Sequence, residues 1–132
     1  MKKQIEQVKA FHTAFKVNVE SQPVIPKEER CQLRFKLLKE ELEEFQEAYQ
    51  NNDLVEVADA LVDLQYILLG SVLEFGLQDK FVELFDEVQR SNMSKLDDNG
   101  QPIYREDGKV LKSSNYSPPD LKPILEMESE LI

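Results

Sequence analysis

The chain has 132 residues and a mass of 15.4 kDa, the size of a single domain. It is 41% hydrophobic and 32% charged with only four glycines and six prolines, which excludes collagen-like, low-complexity and wholly disordered chains. A single cysteine, Cys31, and a single histidine, His12, leave no internal disulfide and no Cys/His zinc cluster, and a net charge of −10 argues against nucleic acid as a partner, which needs a cationic footprint.

The longest apolar run without a charge, residues 64–73, is half of the roughly 20 residues that a membrane span needs. The opening Met1-Lys2-Lys3-Gln4-Ile5-Glu6 has no apolar signal segment. Both features set the expectation of a cytoplasmic protein with no membrane partner.

In chain order, Ile5, Val8, Phe11 and Phe15 recur at helical spacing and predict an amphipathic helix over 3–17. Residues 18–27, with Pro23 and Pro26, read as an extended connector. A second helix is predicted over 27–50 with Leu33, Leu37, Leu38, Phe45 and Ala48 facing inward. Asn51-Asn52-Asp53 is a tight turn, and Asn52 or Asp53 can cap the next helix.

The third helix, 53–75, is apolar almost all round its axis, which predicts burial, and Gly76 is placed to end it. A fourth helix is expected over 78–95 with Phe81, Leu84, Phe85 and Val88 on one face. Turn signals around Gly100 and Gly108 then suggest a small hairpin, and 124–132 can form a last short helix. The expectation is an all-α protein, a four-helix up-and-down bundle, with a core over 1–96 and an irregular proline-containing tail over 97–132 belonging to the same domain.

Charge is spread unevenly. Residues 28–63 hold eleven acids against four bases, and 90–122 hold six bases against five acids. Three of the acids, Glu56, Asp59 and Asp63, lie within about 60° of each other on the most apolar helix. Carboxylates in an apolar setting are costly unless paired or metal-bound. The preceding helix supplies Glu40, Glu41, Glu43, Glu44 and Glu47 rather than compensating cations.

The tight turn sets the register between the two helices. With its centre between Asn51 and Asn52, Glu44 and Asp59 share a level, Glu47 and Glu56 lie nearer the turn, and Glu41 nearly matches Asp63. Packed helices lie about 8–10 Å apart, so these side chains converge on the gap. An all-oxygen ligand set favours Mg²⁺ or Mn²⁺. On the fourth helix, Asn92 and Lys95 continue the stripe begun by Phe81, and an amide with an ammonium suits phosphate oxygens.

The stretch Leu38-Lys39-Glu40-Glu41-Leu42-Glu43-Glu44-Phe45-Gln46-Glu47-Ala48, followed by Glu56-Val57-Ala58-Asp59-Ala60-Leu61-Val62-Asp63-Leu64 and by Asn92-x-x-Lys95, resembles the MazG-like nucleoside triphosphate pyrophosphohydrolases, relatives of phosphoribosyl-ATP pyrophosphohydrolase. The resemblance covers roughly 5–96. It implies an all-α enzyme that cleaves nucleoside triphosphates between the α and β phosphates to a monophosphate and pyrophosphate. By position it implies Glu41, Glu44, Glu56 and Asp59 as metal ligands, Asn92 and Lys95 as phosphate contacts, and Glu40 as the base for the attacking water. Asp63, Lys109, Lys112 and His12 are further candidates: Asp63 beside Glu41, the lysines closing over the phosphates, and His12 or Phe15 against the base. For His12 a surface place and for Phe15 a core place are the simpler expectations.

The resemblance also implies a homodimer or tetramer. The apolar positions Val57, Leu61, Leu64, Leu68 and Val72 exceed what one small chain covers, and this points the same way. Two other readings remain open from sequence: a non-catalytic acidic helical interaction protein, and phosphoribosyl-ATP pyrophosphohydrolase itself. A calcium loop over 95–106 is disfavoured, because Lys95 would stand where its first carboxylate belongs.

Overall fold

The stripe at the N-terminus forms α1, Lys2–Ala14, in the computed structural model, which describes residues 1–127. The other helices are α2 (Glu28–Gln50), α3 (Leu54–Glu74), α4 (Phe81–Met93) and a short α5 (Lys122–Glu126). The described residues are therefore all-α, with four main helices and a short C-terminal tail. The described part of the last predicted helix begins two residues early, at Lys122, and positions 128–132 of that prediction lie outside the described residues. Among the described residues, β-structure is confined to one isolated antiparallel bridge, Tyr104 to Val110, where the small hairpin was expected. No described helix is long and apolar enough to cross a membrane.

The backbone divides into two compact units, Met1–Gln78 and Asp79–Ile132. In the first, α2 and α3 pack as an antiparallel hairpin and α1 lies against α3. Three helices of this unit end alike. Val17 N–H reaches His12 C=O while Lys16 N–H reaches Thr13 C=O; Asp53 pairs with Ala48 while Asn52 pairs with Tyr49; Leu77 pairs with Val72 while Gly76 pairs with Leu73. Each is a Schellman closure, which requires a left-handed residue at its corner. Lys16, Asn52 and Gly76 supply φ values of 58°, 54° and 67°. Only the last two belong to types that adopt this conformation readily.

Gly76 has a second reason to be glycine, because a Cβ there would lie 1.9 Å from the Gln22 carbonyl oxygen. The connector passes that close because it completes the end of α3: Glu20 N–H bonds Leu73 C=O and Val24 N–H bonds Phe75 C=O. At the other end of α3, the Asp53 carboxylate accepts from Glu56 N–H at 3.1 Å, the cap expected from the turn.

Burial departs from the simple stripes. On α1, Ile5 and Val8 are buried as expected, but Phe15 is 67% exposed and His12 only 3% exposed, the reverse of the expected places. The reason is the left-handed turn at Lys16, which folds the chain back so that His12 Nδ1 meets Asn18 C=O, while Phe15 stacks outside on Phe11. On α2, Ala48 is buried and Leu37, Leu38 and Phe45 are half-buried, but Leu33 is exposed. The all-round apolar α3 is buried mainly in its second half, at Leu69, Val72 and Leu73, with Ala60 the one buried residue of its first half. Its first half leaves Leu54 79% and Val55 76% exposed.

In the second unit, Leu84 and Ser91 of α4 are buried and Phe85 and Val88 are exposed, so the expected α4 stripe is only partly a core face. Helix α4 stops at Met93, and Lys95 stands in the turn beyond it rather than on the helix. The buried Lys80 ammonium anchors the end of this unit by donating to the carbonyls of Leu125, at 2.9 Å, and Met127.

Candidate active site

The turn at 51–53 fixes how α2 and α3 face each other, and the positions of the carboxylates result from that register. Ligating oxygens of Glu41, Glu44 and Asp63 all lie within 4.8 Å of one another. Glu41 and Asp63 are half-buried and Glu44 is exposed. One oxygen of Glu41, Oε2, is buried with no hydrogen-bond partner. None of Glu41, Glu44, Glu47, Glu56, Asp59 or Asp63 makes an ion pair among the described residues.

Concentrating unneutralised acids has the expected electrostatic result. Burial, helped by a carboxyl hydrogen bond to Glu44 and by the charges of Glu44, Asp63 and Asp59, pushes Glu41 up to about 7. Burial also raises Asp63, with Asp59 and Glu44 adding to it. Nearer the turn, Glu44, Glu47, Glu56 and Asp59 line a cavity of about 350 Å³ together with Asn51 and Asp53. Glu44 thus belongs to both the triad and the cavity.

Every carboxylate expected to converge on the seam does so, but they divide. Glu41 and Glu44 join Asp63 in the tight triad, whereas Glu56 and Asp59 line the cavity below it. Asp63 is therefore more central than its place outside the ExxE and ExxD pairs implied. Glu40 is exposed on α2. His12 lies deep in the first unit. Asn92 is exposed on the last turn of α4, Lys95 is half-buried just beyond it, and Lys109 and Lys112 are exposed in the tail, all four in the second unit.

A buried charge cluster above the triad was not anticipated. Glu74 is fully buried, with Arg30 Nε at 2.7 Å from its Oε1 and Arg34 Nη1 at 3.1 Å from its Oε2. The Arg34 contact is an ion pair without hydrogen-bond alignment, which is why that same Oε2 has no hydrogen-bond partner. Arg34 also donates to Ser71 Oγ at 3.0 Å and to Ile67 C=O at 2.7 Å. The signal for this cluster was available: the register that aligns Glu44 with Asp59 also brings Arg30 close to the level of Glu74.

The donor set of the triad fits a hard divalent cation. It is all oxygen, it carries excess negative charge, and it leaves Glu41 Oε2 without a partner. The family model described as phosphoribosyl-ATP pyrophosphohydrolase matches residues 8–92, from α1 to the last turn of α4. The chain belongs to this family. It is a member of the MazG-like all-α NTP pyrophosphatase superfamily, as the resemblance implied. Membership indicates a pyrophosphohydrolase, a hydrolase of acid anhydrides in nucleotide-like substrates, in a family that is typically metal-dependent. No curated protein gives a significant match to the chain.

Proposed function

We propose that the protein hydrolyses the α–β phosphoanhydride of ribo- or deoxyribonucleoside triphosphates to a monophosphate and pyrophosphate. The observation that carries this reading is the convergence of Glu41, Glu44 and Asp63 in the α2–α3 seam with one buried oxygen unpartnered. Phosphoribosyl-ATP is the second candidate substrate, favoured by the description of the matching family.

In this proposal Glu41, Glu44 and Asp63 hold Mg²⁺ or Mn²⁺, with Asp59 and Glu56 on the adjoining cavity wall. A bound divalent cation would neutralise non-bridging phosphate oxygens and lower the cost of charge developing on the leaving pyrophosphate. The chain's own residues do the rest. The carboxylates fix where the phosphates lie, and Glu40, exposed beside Glu41 in sequence, accepts the proton of the attacking water. The water oxygen bonds to phosphorus, the bridging P–O bond breaks, and its electron pair leaves with the departing phosphate group. Asn92 and Lys95 are proposed as phosphate contacts on the strength of the sequence resemblance, with Lys109 and Lys112 as further cationic candidates.

We also propose a homodimer or tetramer. Leu54 and Val55, together with the exposed Leu61 and Val62, leave in water an apolar helix face that a second copy would cover. Sedimentation equilibrium tests this, and a monomer at micromolar concentration overturns it.

The function is tested by pyrophosphate release from NTPs, dNTPs and phosphoribosyl-ATP with Mg²⁺ or Mn²⁺, repeated with EDTA and with Glu41→Gln. Metal-dependent release lost in the variant supports the reading. Absence of turnover of every substrate by folded, metal-supplied protein leaves the non-catalytic interaction reading.

A further inference from the structure

The three helices of the first unit end on left-handed residues, but α4 does not: no residue from 91 to 99 has a positive φ. It closes instead through tightened turns. Ser94 N–H lies 3.1 Å from Ser91 C=O, Lys95 N–H 3.2 Å from Asn92 C=O, and Leu96 N–H 3.3 Å from Met93 C=O. Bonds of this pattern have poorer geometry than those of an α-helix, so an end built from them gains from outside support. Asn92 and Lys95, the two residues proposed to touch phosphate, both lie in it.

The support comes from the tail. Ser113 Oγ donates to Leu96 C=O at 2.7 Å, and Ser94 Oγ, which donates to Ser91 C=O at 2.6 Å, accepts from Ser117 N–H at 2.8 Å. From there the tail runs back along α4 towards its start. Arg90 Nη2 donates to Pro118 C=O at 3.2 Å, Asp120 N–H to Glu87 Oε2 at 2.8 Å, and the Lys80 ammonium to the carbonyls of Leu125 and Met127. Pro118 and Pro119 fix φ along this path, which reduces the entropy lost on ordering it. Lys112 joins the same end of the strap as the two hydroxyls: it adjoins Ser113 in the chain, and its ammonium lies 4.5 Å from the Tyr116 ring centre. Neither Lys95 nor Lys112 makes an ion pair among the described residues.

We propose that this strap holds the Asn92–Lys95 turn in the shape that receives the substrate's phosphates, with Ser94 and Ser113 as its positioning residues. The proposal rests on the pyrophosphohydrolase reading and on the phosphate role given there to Asn92 and Lys95, and it adds what keeps them in place. Lys95 stands between two pinned points, Ser94 Oγ on Ser117 and Leu96 C=O on Ser113. Free ammonium groups on a braced turn suit an anion, because binding then orders little that was not already ordered. The far part of the strap, at Glu87 and Lys80, attaches the tail to α4 without touching this turn.

The test contrasts the two parts of the strap. Ser113→Ala removes a hydroxyl at the phosphate turn, and Glu87→Ala breaks the strap about two helical turns away. Ser113→Ala is expected to raise KM for the preferred triphosphate about tenfold, as when one charge-assisted contact is weakened. The Ki of inorganic tripolyphosphate, which shares only the phosphates, should rise by the same factor. Ser113→Thr, which keeps the hydroxyl, should restore both. Glu87→Ala should lower Tm but leave KM within about twofold of wild type. Ser94→Ala should behave as Ser113→Ala does, and it decides the matter if Ser113→Ala does not fold. A KM unmoved by loss of either hydroxyl, or raised equally by Glu87→Ala, makes the strap a structural brace only and overturns the proposal while leaving the activity standing. Should the wild type turn over nothing, calorimetric binding of tripolyphosphate with Mg²⁺ replaces KM. Binding weakened in Ser113→Ala and kept in Glu87→Ala supports the strap's role, and binding that is absent or equal in all three proteins overturns it.

Discussion

Glu41 on α2 and Asp63 on α3 bring carboxylate oxygens within 4.8 Å of each other across the helix seam, with an oxygen of Glu44 inside the same limit from both. Like charges at this separation work against folding unless a cation or a proton intervenes. Divalent metal should therefore stabilise the protein, by about 2.7 kcal/mol when the free ion is a hundredfold above its dissociation constant. Asp63→Asn should show the opposite balance: a higher Tm than wild type in EDTA, from relieved repulsion, and a much smaller rise when Mg²⁺ is added. Differential scanning fluorimetry with and without metal measures both. A variant that responds to Mg²⁺ like wild type would remove Asp63 from the ligand set.

The same triad predicts a pH dependence of fixed sign. Glu41 is raised from 4.5 to about 7 in the folded protein, so between those values the native state binds more protons than the unfolded one. Stability in EDTA should thus fall as pH rises from about 5 through 7, and the raised Asp63 adds in the same direction. His12, whose pKa is lowered, works oppositely: its contribution is lost as pH falls below its ordinary value of 6.5. Glu41→Gln isolates the two effects. Urea midpoints measured from pH 5 to 8 should lose most of the alkaline decline in this variant and keep the acid-side loss from His12.

The Arg30–Arg34–Glu74 cluster should matter for stability in proportion to burial. Arg34 has 7% of its side chain exposed and Arg30 has 33%, and Glu74 is fully buried between them. Arg34→Ala leaves that carboxylate with only a partly solvated partner and removes the donor to Ser71 Oγ and Ile67 C=O, which keep only their bond to each other, and should cost about 3–5 kcal/mol. Arg30→Ala, with Arg34 still in place, should cost clearly less. Chemical denaturation of the two variants checks the order, and equal losses would mean that Arg34 is no more essential than its exposed neighbour.

Periodicity and register made much of the molecule readable before the structure. The helix hairpin was legible because Asn51-Asn52-Asp53 is short enough to align two helices residue by residue, and that alignment placed Glu41 near Asp63 and Glu44 near Asp59. Which acids would form the tight triad was not legible, because motif spacing favours Glu56 and Asp59 while burial and side-chain reach favour Asp63. The exchange of His12 and Phe15 was hidden for a different reason. It depends on a left-handed Lys16, a conformation that a lysine does not advertise, whereas Gly76 announces the same geometry at the end of α3.

Gly76 also allows the sharpest test of that geometry, because three glycines share positive φ in different surroundings. Gly108, at φ 87°, has open space where a Cβ would go, so Gly108→Ala should cost only the backbone strain of a left-handed alanine, about 1 kcal/mol. Gly76→Ala carries the same strain and also drives its Cβ against backbone atoms of Gln22. That contact cannot be relieved by a rotamer change. The connector would have to move, giving up the Glu20–Leu73 and Val24–Phe75 hydrogen bonds that complete α3. The expected loss is therefore several times larger than at Gly108, on the order of 3 kcal/mol or more, with earlier amide exchange at Glu20 and Val24. Comparable losses in the two variants would mean that the connector yields easily and does not hold the end of α3.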